Sequence, residues 1–225
     1  MKSFKALVVA LFAVLALGAI VASAASAAEV RALVLSGGKF PVKFEGTSGA
    51  GKLESVGGSS ISCTAGTNKG EITNEKTGTV TFDFTGCKAF GFNCNTTGDA
   101  TGVVLTTGTF EGVYDSLGTT LLPALFVTLK ETTIECTALA KVKVRGTLLL
   151  LFSKLTSGTD VTEAEIIVTQ SKGVPTDKKY WKTSEEKTAK EAKLESSFDG
   201  GAFEESGEES SSNKVKYSEM VALDF

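Results

Sequence analysis

Histidine is missing from all 225 residues of the chain. That absence excludes Ser-His-Asp and Cys-His catalysis, histidine general bases and the usual catalytic zinc sites, all of which need an imidazole. Proline is scarce, with three residues against 24 glycines, so the turns fall to glycine and to Asn, Asp and Ser. Past residue 28 no apolar run approaches the roughly 20 residues of a membrane-crossing helix. The longest, at 148–152, suits a buried strand. A formal charge of −3 without a dense basic patch argues against nucleic acid and anionic membrane as partners. Long segments of helical period are also wanting, which leaves β structure as the main architecture.

What is present begins with Lys2 and Lys5, an apolar run over 6–21 and the small residues Ala22-Ser23-Ala24-Ala25-Ser26-Ala27-Ala28. A basic stub, an apolar middle and an A-x-A exit are the three parts of a secretory signal peptide, cut after Ala24 or Ala27. We read 1–28 as a signal-peptide helix and 29–225 as one β-rich domain. The alternative, an uncleaved anchor, is disfavoured by the short apolar run. Removing the two lysines leaves 21 basic and 26 acidic residues, a mature charge of −5. The expected location is outside the cell or at its surface, with no membrane contact after cleavage.

Four cysteines in an exported chain read as two disulfides. Three pairings are open to Cys63, Cys87, Cys94 and Cys136. The favoured one joins Cys63 to Cys87 across the ends of one small sheet, and Cys94 to Cys136 to tie that sheet to a later strand. A four-thiolate zinc site would need a close CxxC-type pair, and the gaps here are 23, 6 and 41 residues. No metal and no cofactor is expected.

In Thr79-Val80-Thr81-Phe82-Asp83-Phe84, Val80, Phe82 and Phe84 share one face, the period of two of a half-buried strand. Residues 61–63 and 70–73 look like its neighbours. Further strands are expected at 30–35, 40–45, near Lys52-Leu53, and at 121–130, 132–137, 140–145, 147–152 and 164–170, with a bulge or bend at Gly146. Segments 102–107 and 109–114 read as a hairpin turning at Thr107-Gly108. Segment 172–216 is polar and is expected to be partly mobile. Within it, 183–194 has helix formers, but Asp199-Gly200-Gly201 favours a hairpin. Residues 215–225 read as a closing strand. Many short strands with glycine-rich turns give an all-β fold, an antiparallel β-sandwich or barrel-like structure with disulfides.

Several motifs tempt. Gly46-Thr47-Ser48-Gly49-Ala50-Gly51-Lys52-Leu53 falls one residue short of a phosphate-binding loop, because Leu53 stands where a metal-holding hydroxyl is needed. Ser184 with Lys187 lacks a strand–helix setting for serine–lysine catalysis. The doublets Glu185-Glu186, Glu204-Glu205 and Glu208-Glu209 read as solubilising charge, since neighbours on a strand face opposite ways. Asn95-Thr96-Thr97 fits the glycosylation pattern weakly. Tyr180-Trp181, among lysines, is the candidate ligand contact, set against a structural reading in which one ring caps the core edge and lysine stems cover the other.

The pattern Ile61-x-Cys63, Gly70-x-Ile72, Gly78-x-Val80, Phe84-x-Gly86-Cys87, Cys94, a strand ending in Cys136 and an apolar strand after Gly146 resembles uncharacterised secreted, cysteine-containing all-β proteins that recur in soil actinobacteria. The resemblance spans most of the mature chain and implies export, a β-rich fold and disulfides. It brings no activity, ligand or catalytic residue, and the charged 172–216 segment departs from it. The expected function is a secreted, non-enzymatic structural or binding module, with cell-wall glycan or another surface protein as candidate partners. The alternative is an extracellular polysaccharide hydrolase or lyase working with carboxylates alone.

Overall fold

The structure, a computed structural model, describes residues 39–223 apart from 118–119, 138–139, 156–157 and 184–185. The expected signal peptide and the strand expected at 30–35 lie outside the described residues. Among those described, every regular element is a β-strand. In chain order these are β1 (Val42–Ser48), β2 (Gly51–Ser55), β3 (Ser60–Cys63), β4 (Ala65–Ile72), β5 (Thr77–Thr85), β6 (Lys88–Ala89), β7 (Phe92–Thr96), β8 (Val103–Leu117), β9 (Thr120–Cys136), β10 (Ala140–Ser153) and β11 (Thr159–Val168). A strap follows with four two-residue pieces, β12 (Gln170–Ser171), β13 (Val174–Pro175), β14 (Lys179–Tyr180) and β15 (Lys190–Glu191); β16 (Leu194–Phe198) and β17 (Glu204–Leu223) complete the chain.

Thirteen strands form one antiparallel sheet that closes on itself twice. The first ring runs β1-β4-β5-β8-β9-β10-β11-β17 and back to β1. The second runs β9-β7-β6-β3-β2-β17-β16-β10 and back to β9. The molecule is therefore a pair of fused barrels sharing β9, β10 and β17. Closure removes the unpaired edges that an open sheet exposes.

The shared strands are long enough to serve both rings. β17, for example, pairs with β16 at Glu204 and Glu205, with β2 over Ser206–Ser210, and with β1 at Lys214–Tyr217. Each ring has its own core. Val42, Phe44, Ile72, Val80, Phe110, Val127, Leu148, Leu150, Phe152 and Ile166 fill the first. Ile61, Val104, Ile134, Val142, Val144 and Leu194 fill the second, together with Cys87, Cys94 and Cys136. Both expected disulfides are formed, Cys63–Cys87 and Cys94–Cys136, and Cys94 stands directly opposite Cys136 in the β7–β9 ladder.

Two expectations are corrected. Residues 102–107 and 109–114 are not the arms of a hairpin but one strand, β8, with Gly108 in its middle opposite Leu129. A Cβ on Gly108 would come within 2.6 Å of the Thr128 carbonyl oxygen, so this glycine serves close strand approach rather than a turn. Likewise 121–130 and 132–137 are one strand, β9. Its Pro123 is tolerated because the facing Tyr114 gives its amide and carbonyl to Trp181 (2.8 and 2.9 Å) instead of to the proline.

Gly146 is the expected bulge: the β9–β10 register slips between Val144 and Gly146, and Gly146 has φ 109°, a region only glycine enters freely. Of the polar segment 172–216, β16 and the first part of β17 are built into the main sheet, and the strap lies outside it. The segment's glycine turn joins β16 to β17, as the hairpin reading has it. The helix considered at 183–194 is not found among the described residues, and β15 lies within that span.

Candidate functional site

β17 is where the composition contradicts the position. A strand that closes both barrels turns Ser206, Glu208, Ser210 and Asn213 toward enclosed space. Strand alternation places Glu208 on the same face as Leu53, its partner across the ladder, and sends Glu209 outward opposite Lys52. The doublet Glu208-Glu209 thus has one acid inside and one outside.

The interior holds two chambers, each of about 70 Å³. The first lies in the first barrel between six aromatic rings: Phe44, Phe82, Phe84, Phe110, Phe152 and Tyr217. Asn68, Ser210 and Asn213 supply polar wall. The second lies in the second barrel, lined by Leu53, Ile61, Val104, Leu129, Ile134 and Leu194, with the hydroxyls of Thr106 and Thr132 hydrogen-bonded to each other at 2.8 Å. Phe84 and Glu208 border both chambers, so they mark the junction.

A third space of about 20 Å³ runs from Glu208 toward the strap, where it meets Asp177, Pro175 and Ala192. It follows from the topology: β17 leaves β16 after Glu205 and joins β11 from Ser210, and the strap covers the gap between them. Gln170 fastens the strap there, donating to the Glu54 carboxylate at 3.2 Å and accepting from the Gly173 amide at 2.7 Å.

Glu208 is half-buried, and it borders all three spaces. Among the described residues no hydrogen bond or ion pair reaches its carboxyl, and burial pushes its pKa up to about 7. Burial also raises Asp177, and it pushes the Tyr217 phenol well above its usual range. The nearest basic side chain on β2, Lys52, is held by Glu54 at 2.8 Å. The neighbouring polar groups of β17 are satisfied: Asn213 donates to the Ile166 and Ser210 carbonyls at 3.1 and 3.2 Å, and the Ser196 and Ser206 hydroxyls share a 2.5 Å hydrogen bond. A carboxyl that borders all three spaces without a partner among the described residues marks a candidate site.

Tyr180 and Trp181 are placed elsewhere. Tyr180 is buried on the outer wall of the first barrel, its ring 4.4 Å from that of Phe126, in a cluster with Val113, Ala124, Leu149, Leu151 and Ala192. Trp181 is half-buried and staples the strap to β8 through its main chain. Two of the three lysines beside them are engaged, Lys182 with Glu111 at 2.6 Å and Lys178 with Glu205 at 3.0 Å. The capping alternative describes Tyr180, whose ring is not presented to solvent. Tyr180→Ala should therefore cost about 3 kcal/mol of stability, against about 1 kcal/mol or less for Trp181→Ala, which keeps the main-chain staple. Urea denaturation of the two variants checks this.

The chain matches no family model, no curated protein and no solved structure. Sequence reading missed Glu208 because Ser206-x-Glu208-x-Ser210 has the period of a strand but the composition of a solvated one. The one available signal was its position within a long alternating stretch that ends in Val215 and Tyr217.

Proposed function

We propose that this is a secreted, non-enzymatic binding module that takes a small apolar molecule into the joined interior of its barrels. The observation that carries the reading is the pair of chambers left open beside an unpartnered carboxyl. Export is supported by the sequence of 1–28 and by two disulfides, which suit an oxidising compartment. Against carboxylate-driven glycan cleavage stands the size of the space that Glu208 and Asp177 share, about 20 Å³, which holds a water or two but no sugar ring.

Methyl NMR of the mature protein with added benzene tests the reading. Shifts are expected at methyls that line the chambers, Val127, Leu148, Leu150 and Ile166 in the first and Ile61, Val104 and Leu194 in the second. No shift at any of them would leave a structural role alone.

A further inference from the structure

The occupant is constrained by what the junction lacks. A buried carboxyl is stable as a charge only beside an opposite charge or several donors, and Glu208 has neither among the described residues. The charged groups around it do not supply one. Lys52 of β2 borders the second chamber but is paired with Glu54 at 2.8 Å, and Asp177, across the side space on the strap, is itself an acid. The rest of the wall is mostly aromatic and aliphatic with a few neutral polar groups, Ser210 and Asn213 among them, and Phe82 and Phe84 are stacked at 6.2 Å between ring centres. Ring faces carry negative potential, which favours a cation and disfavours an anion.

We propose that the junction binds a small organic monocation, an apolar primary amine, with its ammonium on the Glu208 carboxylate and its hydrocarbon body against Phe82 and Phe84. This rests on the proposal that the interior is a binding site, and deepens it by naming the ligand class. The size of the amine follows from the volume. A water needs roughly 10–15 Å³ of such space, so a chamber of about 70 Å³ accepts about five non-hydrogen atoms and the joined pair about ten. Arylalkyl amines fit that range, while sugars, peptides and lipids exceed it. Binding transfers no atoms: the ammonium keeps its protons, and Glu208 gives up its own to solvent where it was protonated.

The test is calorimetric titration of the oxidised mature protein at pH 8 with 2-phenylethylamine, 2-phenylethanol and phenylacetate. The amine is expected to bind at least tenfold tighter than the alcohol, and the acid not detectably. Glu208→Gln should bring the amine down to the alcohol and leave the alcohol unchanged, which also shows that the variant is folded. For the unaltered protein, lowering the pH from 8 to 5 should weaken the amine by tenfold or more, as the carboxyl that titrates near 7 takes up its proton, and leave the alcohol alone. Equal affinity for amine and alcohol would overturn the amine class and keep the chamber as an apolar site. Silence from both ligands, together with no benzene shift, would overturn the chamber as well.

Discussion

Removing both disulfides should cost the protein about 7 kcal/mol of folding free energy, close to the whole stability of many domains. In the chain-entropy relation the Cys63–Cys87 link, with a sequence separation of 24, contributes about 3.5 kcal/mol, and the Cys94–Cys136 link, with a separation of 42, about 4 kcal/mol. The two loops do not overlap in sequence, so the contributions add. The structure says where the loss falls. β3, β6 and β7 have four, two and five residues, and they form the wall of the second barrel opposite its shared strands. So few ladder bonds hold that wall poorly once the sulfur links are gone. In reductant, amides of 60–63 and 88–96 should exchange with solvent first, ahead of β5 and β8. Hydrogen exchange followed by mass spectrometry reads the order. Uniform exchange across both barrels, or an unfolding midpoint indifferent to reductant, would contradict it.

The cysteine framework was readable because strand ends and loop closures are local facts. Cys63 and Cys87 flank a clear two-strand pattern, and Cys94 and Cys136 are joined by the strands between them. The strand of Thr79–Phe84 was readable for the same reason: its apolar face is continuous through Val80, Phe82 and Phe84, and it sits within β5. Gly108 misled because a glycine between two apolar runs fits a turn and a close strand approach equally well. Only the presence of β9 at 2.6 Å from its absent Cβ decides between them.

The ends of β17 were legible as a hairpin arm and a closing strand, but its middle was hidden by a deeper cause. Strand recognition assumes that the inward face is apolar, and here the inward face carries Ser206, Glu208, Ser210 and Asn213. A barrel that keeps polar groups inside breaks the rule by which its own strands are found. Such departures are expected where a site, rather than packing, has set the residues. The candidate site was therefore the least legible part of the chain, although it lies on the strand that both barrels share.

Glu208 should also dominate the pH dependence of stability between pH 5 and 8. Its folded pKa is about 7 against an ordinary value of 4.5, so the folded protein holds this proton more tightly than the unfolded chain does. Below pH 4.5 the group is neutral in both states and carries no penalty. As the pH rises the unfolded chain ionises first, and the folded state falls behind until Glu208 itself ionises near 7. At about 1.4 kcal/mol per pH unit over that window, the loss approaches about 3.5 kcal/mol and is constant above it. Glu54, Glu186 and Glu195 act in the other direction: their lysine partners lower them, so their contribution is present above pH 4.5 and is lost in acid, outside this window. Lys178 and Lys182 are raised by Glu205 and Glu111, and their contribution is lost only above about pH 10.5. Glu208→Gln keeps the shape and removes the titration. Urea denaturation should show the unaltered protein declining by about 2.5 kcal/mol from pH 5 to 8, the variant level across the same range, and the two within about 1 kcal/mol at pH 5. Parallel curves would mean that the carboxyl finds a partner or solvent when it ionises, and the unsatisfied charge at the barrel junction would have to be given up.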